Sequence, residues 1–353
     1  MQQDIIDQIQ KKYLDHNIPW TVHWELVYGC NLKCQHCYTF HEEKKKYLSL
    51  PQMAEIVRQL KEMGTLFLTL SGGEPFVRDD IMDIIEMVRK DFFVIILSNA
   101  TLIDSDKAKR LKELKVTQVE ISLYAIDEKI HDSITGIKGS HTKTMEGMQR
   151  LKEEGVSFRI KCTIMEQNVG EYTKIGDFAK RLGVPFSASP VISPRLDGSQ
   201  DTYNLCPETE SLRTYFSQWG KENKEKYKDF KPVLPLDRTF ICSAGRTSCA
   251  ITPDGYLKPC TMLPIRLGNL LEKSLKELWQ VKPKKFIEDI RRARMSDFSK
   301  CKNCKWSSLC SPCPGVNYLE TGNAFTAAEG YCSKVKSIVD ELGMEWGLVE
   351  KLS

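Results

Sequence analysis

Three cysteines, Cys30, Cys34 and Cys37, stand close together just after an apolar run. Three thiolates with gaps of three and two residues between them can hold three irons of a [4Fe-4S] cluster. Iron-sulfur clusters and structural zinc sites usually have four protein ligands. The set of three therefore suggests a cluster whose fourth iron binds something other than a protein thiolate.

A second motif, Gly-Gly-Glu-Pro at residues 72–75, follows another apolar run. Two glycines allow a backbone edge to approach a ligand closely, and the carboxylate of Glu74 can accept hydrogen bonds from an ammonium group. Alone, the motif is equally typical of a turn between a strand and a helix with an acidic N-cap. Both interpretations stay open on these residues alone.

Eight further cysteines lie towards the C-terminal end. They are Cys242, Cys249, Cys260, Cys301, Cys304, Cys310, Cys313 and Cys332, with Gly255 shortly before Cys260. Eight thiolates are enough for two four-ligand iron-sulfur sites. A pair of zinc sites is the other interpretation, because Cys-x2-Cys pairs also hold zinc. Cys162 and Cys206 stand apart and are interpreted as ordinary thiols.

An alternating pattern of strands and helices must position these groups. Apolar runs predict strands at 22–27, 66–70, 92–97, 118–123, 158–164 and 185–188, and helical patterns lie at 50–63, 81–90, 105–114, 142–154 and 171–182. This alternation predicts a parallel sheet, in a barrel-like fold or an open doubly wound one. In both folds chemistry occurs at the carboxyl ends of the strands, where the three cysteines would lie.

Composition limits the class of protein and its partners. The 353 residues are 41% apolar with a formal charge of +4, which favours a globular protein and predicts binding to neither nucleic acid nor a membrane. No signal sequence or membrane-spanning run is visible, so we expect a cytoplasmic protein. Thirteen cysteines in that compartment indicate metal binding rather than disulfides.

The alternating pattern weakens after Pro190. A charged helix is expected at about 208–228, and a proline-marked linker at 231–235 precedes the cysteine-dense segment. We therefore expect an N-terminal segment at 1–19, a first domain at 20–230 and a small cysteine-rich domain at 231–353.

The three-cysteine segment and the Gly-Gly-Glu-Pro strand end together resemble the radical S-adenosylmethionine (SAM) superfamily, in order and in strand position. The resemblance covers roughly residues 20–200 and implies a partial (β/α)6 TIM barrel. It implies that SAM occupies the open iron and that Gly72, Gly73 and Glu74 bind its amine. Electron transfer would cleave SAM to methionine and a 5'-deoxyadenosyl radical, which abstracts hydrogen from the substrate. A flavodoxin or ferredoxin would be the reductant.

The same resemblance suggests further contacts with SAM. His36 should lie near the adenine, and Ser98, Asn99 and Ser122 at strand ends are candidates for contacts with the ribose and carboxylate. Polar residues at strand ends are also ordinary turn formers. Many relatives carry an arginine after a His-Asp pair that follows the fourth strand, whereas the pair at 131–132 leads to Thr-Gly in this chain. The contact made by that arginine is therefore in doubt.

The later cysteines resemble the SPASM extension of the same superfamily. The one departure is that two residues, not three, separate Cys310 from Cys313. The resemblance implies two auxiliary [4Fe-4S] clusters, which makes three clusters in the chain. Cys242, Cys249, Cys260 and Cys313 would hold the first, and Cys301, Cys304, Cys310 and Cys332 the second. These closed clusters would relay electrons or stabilise a small domain with a thin core.

SPASM-bearing relatives mostly modify ribosomally made peptides or proteins, so an oxidoreductase that crosslinks or otherwise oxidises a precursor peptide is expected. Relatives that make formylglycine carry an Asp directly after the cysteine that corresponds to Cys260, which follows Gly255 after four residues. In this chain that position is Thr261, which argues against that branch. The segments 131–140 and 194–198 look more like the maturases of pyrroloquinoline quinone and mycofactocin precursors. Only 29 residues precede Cys30, so a separate protein is expected to bind any leader peptide.

Two alternatives remain. One is a radical SAM decarboxylase or modifying enzyme of tetrapyrrole or other cofactor biosynthesis. The other is a non-catalytic iron-sulfur or zinc protein that relays electrons or binds RNA, which the Gly-Gly-Glu-Pro motif disfavours. The sequence identifies no general base: Cys162, Tyr124, Arg195 and Asp197 should lie at strand ends near the radical, but each also suits packing or a turn.

Overall fold

Nine strands form one sheet in the computed structural model, within the residues that it describes, 2–39, 47–227, 241–298, 300–301, 304 and 310–345. They are β1 (Thr21–Glu25), β2 (Phe67–Ser71), β3 (Phe93–Ser98), β4 (Gln118–Ser122), β5 (Phe158–Thr163), β6 (Phe186–Ser189), β7 (Ser248–Ile251), β8 (Tyr256–Lys258) and β9 (Gly268–Asn269). Their order is β6-β5-β4-β3-β2-β1-β7-β8-β9. The strands from β6 to β7 are parallel, and β8 and β9 are added antiparallel.

Helices alternate with the first six strands and continue after them. They are α1 (Gln2–Asp15), α2 (Leu50–Glu62), α3 (Ile81–Val88), α4 (Ser105–Glu113), α5 (Glu128–Thr135), α6 (Ser140–Glu153), α7 (Tyr172–Leu182), α8 (Thr209–Tyr227), α9 (Lys285–Arg292), α10 (Pro314–Thr321) and α11 (Glu329–Glu345). The six predicted strands and six predicted helices, among them the charged helix at about 208–228, begin and end within two residues of the observed ones. Helix α5 was missing from the prediction.

Helix α2 shows why these segments cover the sheet. Its buried side chains include Met53, Ile56, Val57 and Leu60, which repeat at the spacing of one helical face. Full burial of each such side chain contributes about 1.5–3 kcal/mol of hydrophobic stabilisation. The helix therefore packs one apolar face on the sheet and leaves its charged face to solvent.

The cysteine-rich part of the chain extends the same sheet. Strand β7 pairs with β1, and Cys249 lies opposite Val22. His23 and Glu25 of β1 line cavities on one face of the sheet, so Val22 and Trp24 must point to the other face, where both are buried in the core. The expected domain boundary at 230/231 lies outside the described residues, and the pairing of β1 with β7 joins the segments on either side of it.

The six parallel strands and their covering helices confirm the α/β fold class and the partial (β/α)6 barrel. In the described part of the chain, no helix combines the length and the apolar character needed to cross a membrane.

Candidate functional site

A cavity of about 260 Å³ lies at the carboxyl ends of the central strands. Its walls contain Cys30, Cys34, Cys37, His36, Gly72, Gly73, Glu74, Ser98, Asn99, Ser122 and Tyr124, among others. We call it the cysteine cavity. Every residue predicted to hold the first cluster or to contact SAM lines this cavity. Their individual contacts with a bound SAM stay predictions.

Helix α5 supports the loop that carries the three cysteines. The backbone N–H groups of Lys33 and Gln35 donate to the carbonyl groups of Thr135 and Ile134, at 2.8 and 2.9 Å. Gly136 follows with a φ of +69°, and a Cβ atom there would lie 2.9 Å from the Lys33 carbonyl oxygen. The free carbonyl groups at the end of a helix thus accept hydrogen bonds from the loop.

Arg195 holds the same loop from the other side. Its guanidinium donates to the carbonyl oxygens of Cys37 at 2.7 Å and Gln35 at 3.0 Å, and it pairs with Asp201 at 2.8 Å. Asp197 accepts from the backbone N–H of Ser199 at 2.8 Å. The two candidates at 195 and 197 therefore have structural partners: Arg195 positions the cysteine loop, and Asp197 shapes a turn.

The three thiols suit an iron-sulfur cluster. Burial, with a smaller effect of the neighbouring thiols, raises the pKa of Cys30 to about 11 and that of Cys34 to about 12. Bound iron would supply the positive charge that thiolates in such a site need. Within the described ranges, no three His, Cys, Asp or Glu side chains surround one point as ligands of a single ion would. Thiolates that bind different irons of one cluster do not surround a single point, and the three cysteines line one cavity.

Gly72 and Gly73 are required by a close approach of two backbone segments. A Cβ atom on Gly72, which has a φ of +130°, would lie 2.3 Å from the carbonyl oxygen of Val27. One on Gly73 would lie 2.0 Å from that of Gly29. Besides the close approach to a ligand that the sequence predicts, these glycines let the end of β2 pack on the chain that leads from β1 to Cys30.

Glu74 joins the ends of β2 and β3. Its carboxylate accepts hydrogen bonds from the hydroxyl of Ser98 at 2.9 Å and from the backbone N–H groups of Asn99 at 2.8 Å and Phe76 at 3.2 Å. The side chain is buried, and burial raises its pKa to about 7 against the opposing effect of these donors. The carboxylate therefore positions two of the predicted SAM contacts.

The turn after β3 is held by helix α6. Ala100 has a φ of +60°, Thr144 donates to the Asn99 carbonyl at 2.9 Å, and a Cβ atom on Gly147 would lie 2.2 Å from the Ala100 carbonyl. The side chain of Asn99 also donates to Asn31 in the cysteine loop at 2.9 Å. Asn99 therefore links β3 to the loop.

His36 presents a neutral imidazole to the cavity. Burial lowers its pKa to about 4. Its Nε2 shares a hydrogen bond with the hydroxyl of Tyr124 at 3.2 Å, and its buried Nδ1 has no partner among the described residues. His36 lines the cavity, and a buried polar atom without a partner there is a candidate for a contact with a ligand.

A second cavity of about 260 Å³ adjoins the first. It is lined by Glu25, Val27, Tyr28, Thr39, Gly72, Gly73, Leu196, Thr252, Pro253, Lys258, Pro264 and Arg266, so Gly72 and Gly73 belong to both walls. Lys258 of β8 pairs with Glu25 of β1 at 3.2 Å, with side chains 6% and 10% exposed. A buried ion pair at a cavity wall is costly and marks a candidate functional site.

Tyr38 lies between the first cysteine group and the later ones. Burial raises the pKa of its phenol, and the charges of Glu25, Cys37 and Cys260 add to the increase. The side chain of Thr261 lies close enough to the phenol to oppose this increase in its pKa. Position 261, whose residue type argues against one branch of relatives, therefore lies near a residue next to Cys37.

Three of the four cysteines predicted for the first auxiliary cluster lie together. The charges of Cys313 and Cys242 add to the effect of burial that raises the pKa of Cys260 to about 12, and Cys242 also adds to the effect of burial on Cys313. Cys249 departs from the predicted group. Its pKa is raised by burial alone, and its side chain belongs to the apolar core.

Three cysteines of the second predicted group also lie near one another. Burial raises the pKa of Cys301 to about 11, and the charges of Cys332 and Cys304 contribute. Cys310 lies beside Tyr331, whose pKa is raised by burial and then by Cys313 and Cys310. Both predicted sets stay predictions as ligand sets.

Sequence reasoning missed Glu25, Lys258 and Tyr38. Glu25 and Lys258 are 233 positions apart, and each looks like an ordinary charged residue at the end of a strand. The available signal was weak: a charged residue that ends an otherwise apolar strand beside the three-cysteine loop.

Two family models match the chain. The model of the radical SAM superfamily matches residues 24–178, and that of the SPASM iron-sulfur cluster-binding domain matches residues 242–305. A Fe-coproporphyrin III synthase of Methanosarcina barkeri is 34% identical over 82% of this chain and 81% of its own length. An AdoMet-dependent heme synthase of the same organism is 25% identical over 90% of this chain and 97% of its own length.

A bacteriocin biosynthesis protein is also similar. The antilisterial bacteriocin subtilosin biosynthesis protein AlbA of Bacillus subtilis is 28% identical over 84% of this chain and 68% of its own length. Among solved structures, Streptococcus suis SuiB bound to S-adenosylmethionine has a TM-score of 0.69 at 20% identity, over 92% of this chain and 79% of that one. Native anSMEcpe with bound AdoMet has a TM-score of 0.69 at 19% identity, over 94% and 98%. The likeness to both structures shows the fold.

Proposed function

The chain belongs to the radical SAM superfamily and uses SAM and more than one [4Fe-4S] cluster, and from this premise we propose that it oxidises a substrate held in the second cavity. When bound, the first cluster supplies the electron that cleaves SAM, and the cleavage supplies the species that abstracts hydrogen. A flavodoxin or ferredoxin would deliver the electron.

The observation that carries the proposal is the wall that the two cavities share. Gly72 and Gly73 line both, so a ligand in the cysteine cavity and a substrate in the second would be separated by little more than backbone. Hydrogen abstraction requires reacting groups in close contact and correct orientation. Cavities that share two lining residues place their ligands side by side, which favours such an approach.

The residues of the chain have separate tasks in this proposal. Helix α5 and Arg195 hold the cysteine loop, and Glu74 holds the end of β3 against β2. His36, neutral at physiological pH because of its lowered pKa, can accept or donate a hydrogen bond without bringing a charge into the cavity. Glu25 and Lys258 offer an acceptor and a donor side by side to the substrate.

We propose a ribosomally made peptide or protein as the substrate, which would be crosslinked or otherwise oxidised. An adjacent donor and acceptor complement the C=O and N–H of a peptide unit, and AlbA, a bacteriocin biosynthesis protein, is 28% identical. A separate leader-binding protein would assist.

A second candidate is a tetrapyrrole substrate, whose side chain would be modified or decarboxylated. It is favoured by the 34% identity with a Fe-coproporphyrin III synthase. The cationic groups of Lys258 and the 45% exposed Arg266 could bind the carboxylates of such a ring.

Anaerobic assays of the reconstituted enzyme test the proposal. With dithionite, the wild type should release 5'-deoxyadenosine, Cys34→Ala should release none, and Cys162→Ala, which changes a core cysteine, should behave as the wild type. Each variant is then incubated with the peptide encoded beside the gene or with Fe-coproporphyrin III, and products are identified by mass spectrometry. Loss of two hydrogen atoms from the peptide supports the first substrate, and loss of carbon dioxide together with two hydrogen atoms from a side chain of the ring supports the second. Release of 5'-deoxyadenosine by Cys34→Ala contradicts the assigned site.

A further inference from the structure

Cys249 faces the wrong side of the sheet for the auxiliary cluster that its spacing predicts. In the parallel pairing of β7 with β1, Cys249 lies opposite Val22 and Ala250 lies opposite His23. Paired residues point to the same face of a sheet, and consecutive residues alternate between faces. His23 lines the cysteine cavity, so Ala250 faces the cavities and Cys249 faces the buried layer beneath the helices.

The antiparallel hairpin gives the same result independently. Ala250 of β7 pairs with Lys258 of β8, and Lys258 reaches Glu25 and the second cavity. Cys260 follows two positions later on this side, because the Lys258 ammonium donates to the carbonyl oxygen of the next residue, Thr261, at 3.4 Å. The sheet therefore lies between Cys249 and Cys260.

Movement of Cys249 to the other face would disrupt the sheet. Its side chain is 2% exposed and packed in the core. A one-residue slip of β7 would turn every side chain of the strand over, including Ile251, which is fully buried. Cys249 is therefore a core residue of β7.

Without Cys249, seven of the eight later cysteines remain for two auxiliary sites. Two sites with four thiolates each would need eight, so one site lacks its fourth thiolate. The segments that carry Cys242, Cys260 and Cys313 pack together: the backbone N–H of Gly245 donates to the Pro259 carbonyl at 3.2 Å, and a Cβ atom on Gly315 would lie 2.7 Å from the Cβ of Met262. We propose that these three cysteines alone hold the first auxiliary cluster and that its fourth iron takes a non-thiolate ligand. This cluster would then have an exchangeable position, like the cluster of Cys30, Cys34 and Cys37.

The proposal is tested on the full chain with Cys30, Cys34 and Cys37 changed to Ala, so that only the auxiliary clusters are reconstituted. A [4Fe-4S] cluster with three thiolates loses its fourth iron on mild oxidation and gives a [3Fe-4S] cluster with a distinct electron paramagnetic resonance signal. After brief treatment with ferricyanide, we expect this signal. It should persist when Cys249→Ala or Cys304→Ala is added, and it should disappear with Cys260→Ala.

Iron and sulfide content provides a second measurement that does not depend on enzymatic activity. Cys249→Ala should keep the content of the parent protein, whereas Cys260→Ala should lose about one cluster, or about four irons. Cys162→Ala is the matched control, because it also removes a thiol from the core of a strand. Cys249→Val, which keeps the core apolar, replaces Cys249→Ala if that variant fails to fold.

Three outcomes would overturn the proposal. The first is no [3Fe-4S] signal in the parent protein, which would indicate four thiolates at each site. The second is loss of one cluster in a folded Cys249 variant. The third is a signal that survives Cys260→Ala and disappears with Cys304→Ala, which would place the open position in the other group. None of these outcomes depends on the substrate, so they are separate from the test of the proposed function.

Discussion

Glu25 and Lys258 form one ion pair at the wall of the second cavity although they are 233 positions apart in the chain. Lys258 also donates to the carbonyl oxygen of Thr261 at 3.4 Å, which places the ammonium between the end of β1 and the chain after Cys260. Breaking a buried pair costs more than the pair itself contributes, because the remaining charge has no partner. Removal of either partner should therefore affect both the stability of the protein and the modification of its substrate.

Glu25→Gln and Lys258→Met should each lower the free energy of unfolding by about 3 kcal/mol, and the double variant should recover most of that loss. All three should still cleave SAM but yield less modified substrate per 5'-deoxyadenosine. Urea unfolding and the ratio of the two products measure these effects. Arg110→Met removes an exposed pair with Glu86 and should cost less than about 1 kcal/mol. A Glu25→Gln variant as stable as Arg110→Met would contradict the buried role of the pair.

At the level of elements, the six strands and five of the helices were predictable from local periodicity, because each repeats its apolar residues at the period of its own backbone. The three-cysteine loop and residues 72–75 were predictable as neighbours, because the carboxyl ends of parallel strands share one edge. Helix α5 was missed since its eight residues carry only a short apolar stripe. Its role depends on carbonyl groups that accept from the cysteine loop, which no sequence pattern shows.

The close packing of β2 on the chain after β1 gives a second prediction. In Gly73→Ala, the added methyl group would overlap the Gly29 carbonyl, where the Cβ distance would be 2.0 Å. The chain must shift, at about 2 kcal/mol, and the cysteine loop shifts with it. We expect a lower iron content and weaker SAM binding, measured by iron analysis and calorimetry.

Gly170→Ala is the matched control for this change. Nothing lies within 4 Å of a Cβ atom at Gly170, so the same substitution should leave iron content and SAM affinity unchanged. Equal effects of the two variants would show that the contact between Gly73 and Gly29 does not position the cysteine loop.

At the scale of the whole molecule, one sheet includes strands from both parts of the chain. The sequence divides into a regular α/β region and a cysteine-dense one, and the family models match separate ranges, 24–178 and 242–305. In the structure β7 pairs with β1 over four residues, and Trp279 donates to the carbonyl oxygen of Asn17 at 2.7 Å. Such pairings could not be predicted, because a four-residue strand carries no signal for a partner more than 200 positions away.

This continuity predicts that the first 227 residues do not form a stable unit alone. Without β7, strand β1 becomes an edge with unpaired backbone groups, and the buried side chains of Val22 and Trp24 lose the strand beside them. The fragment 1–227 should aggregate or melt without a cooperative transition, as measured by circular dichroism and size-exclusion chromatography.

The control is the full chain with a protease site inserted between 231 and 235. After cleavage the chain is interrupted there, but both pieces are still present. The cleaved pieces should elute together and melt in one transition, because β1 and β7 remain paired. A fragment 1–227 that melts cooperatively at the temperature of the full chain would show that the barrel is stable without the cysteine-rich region.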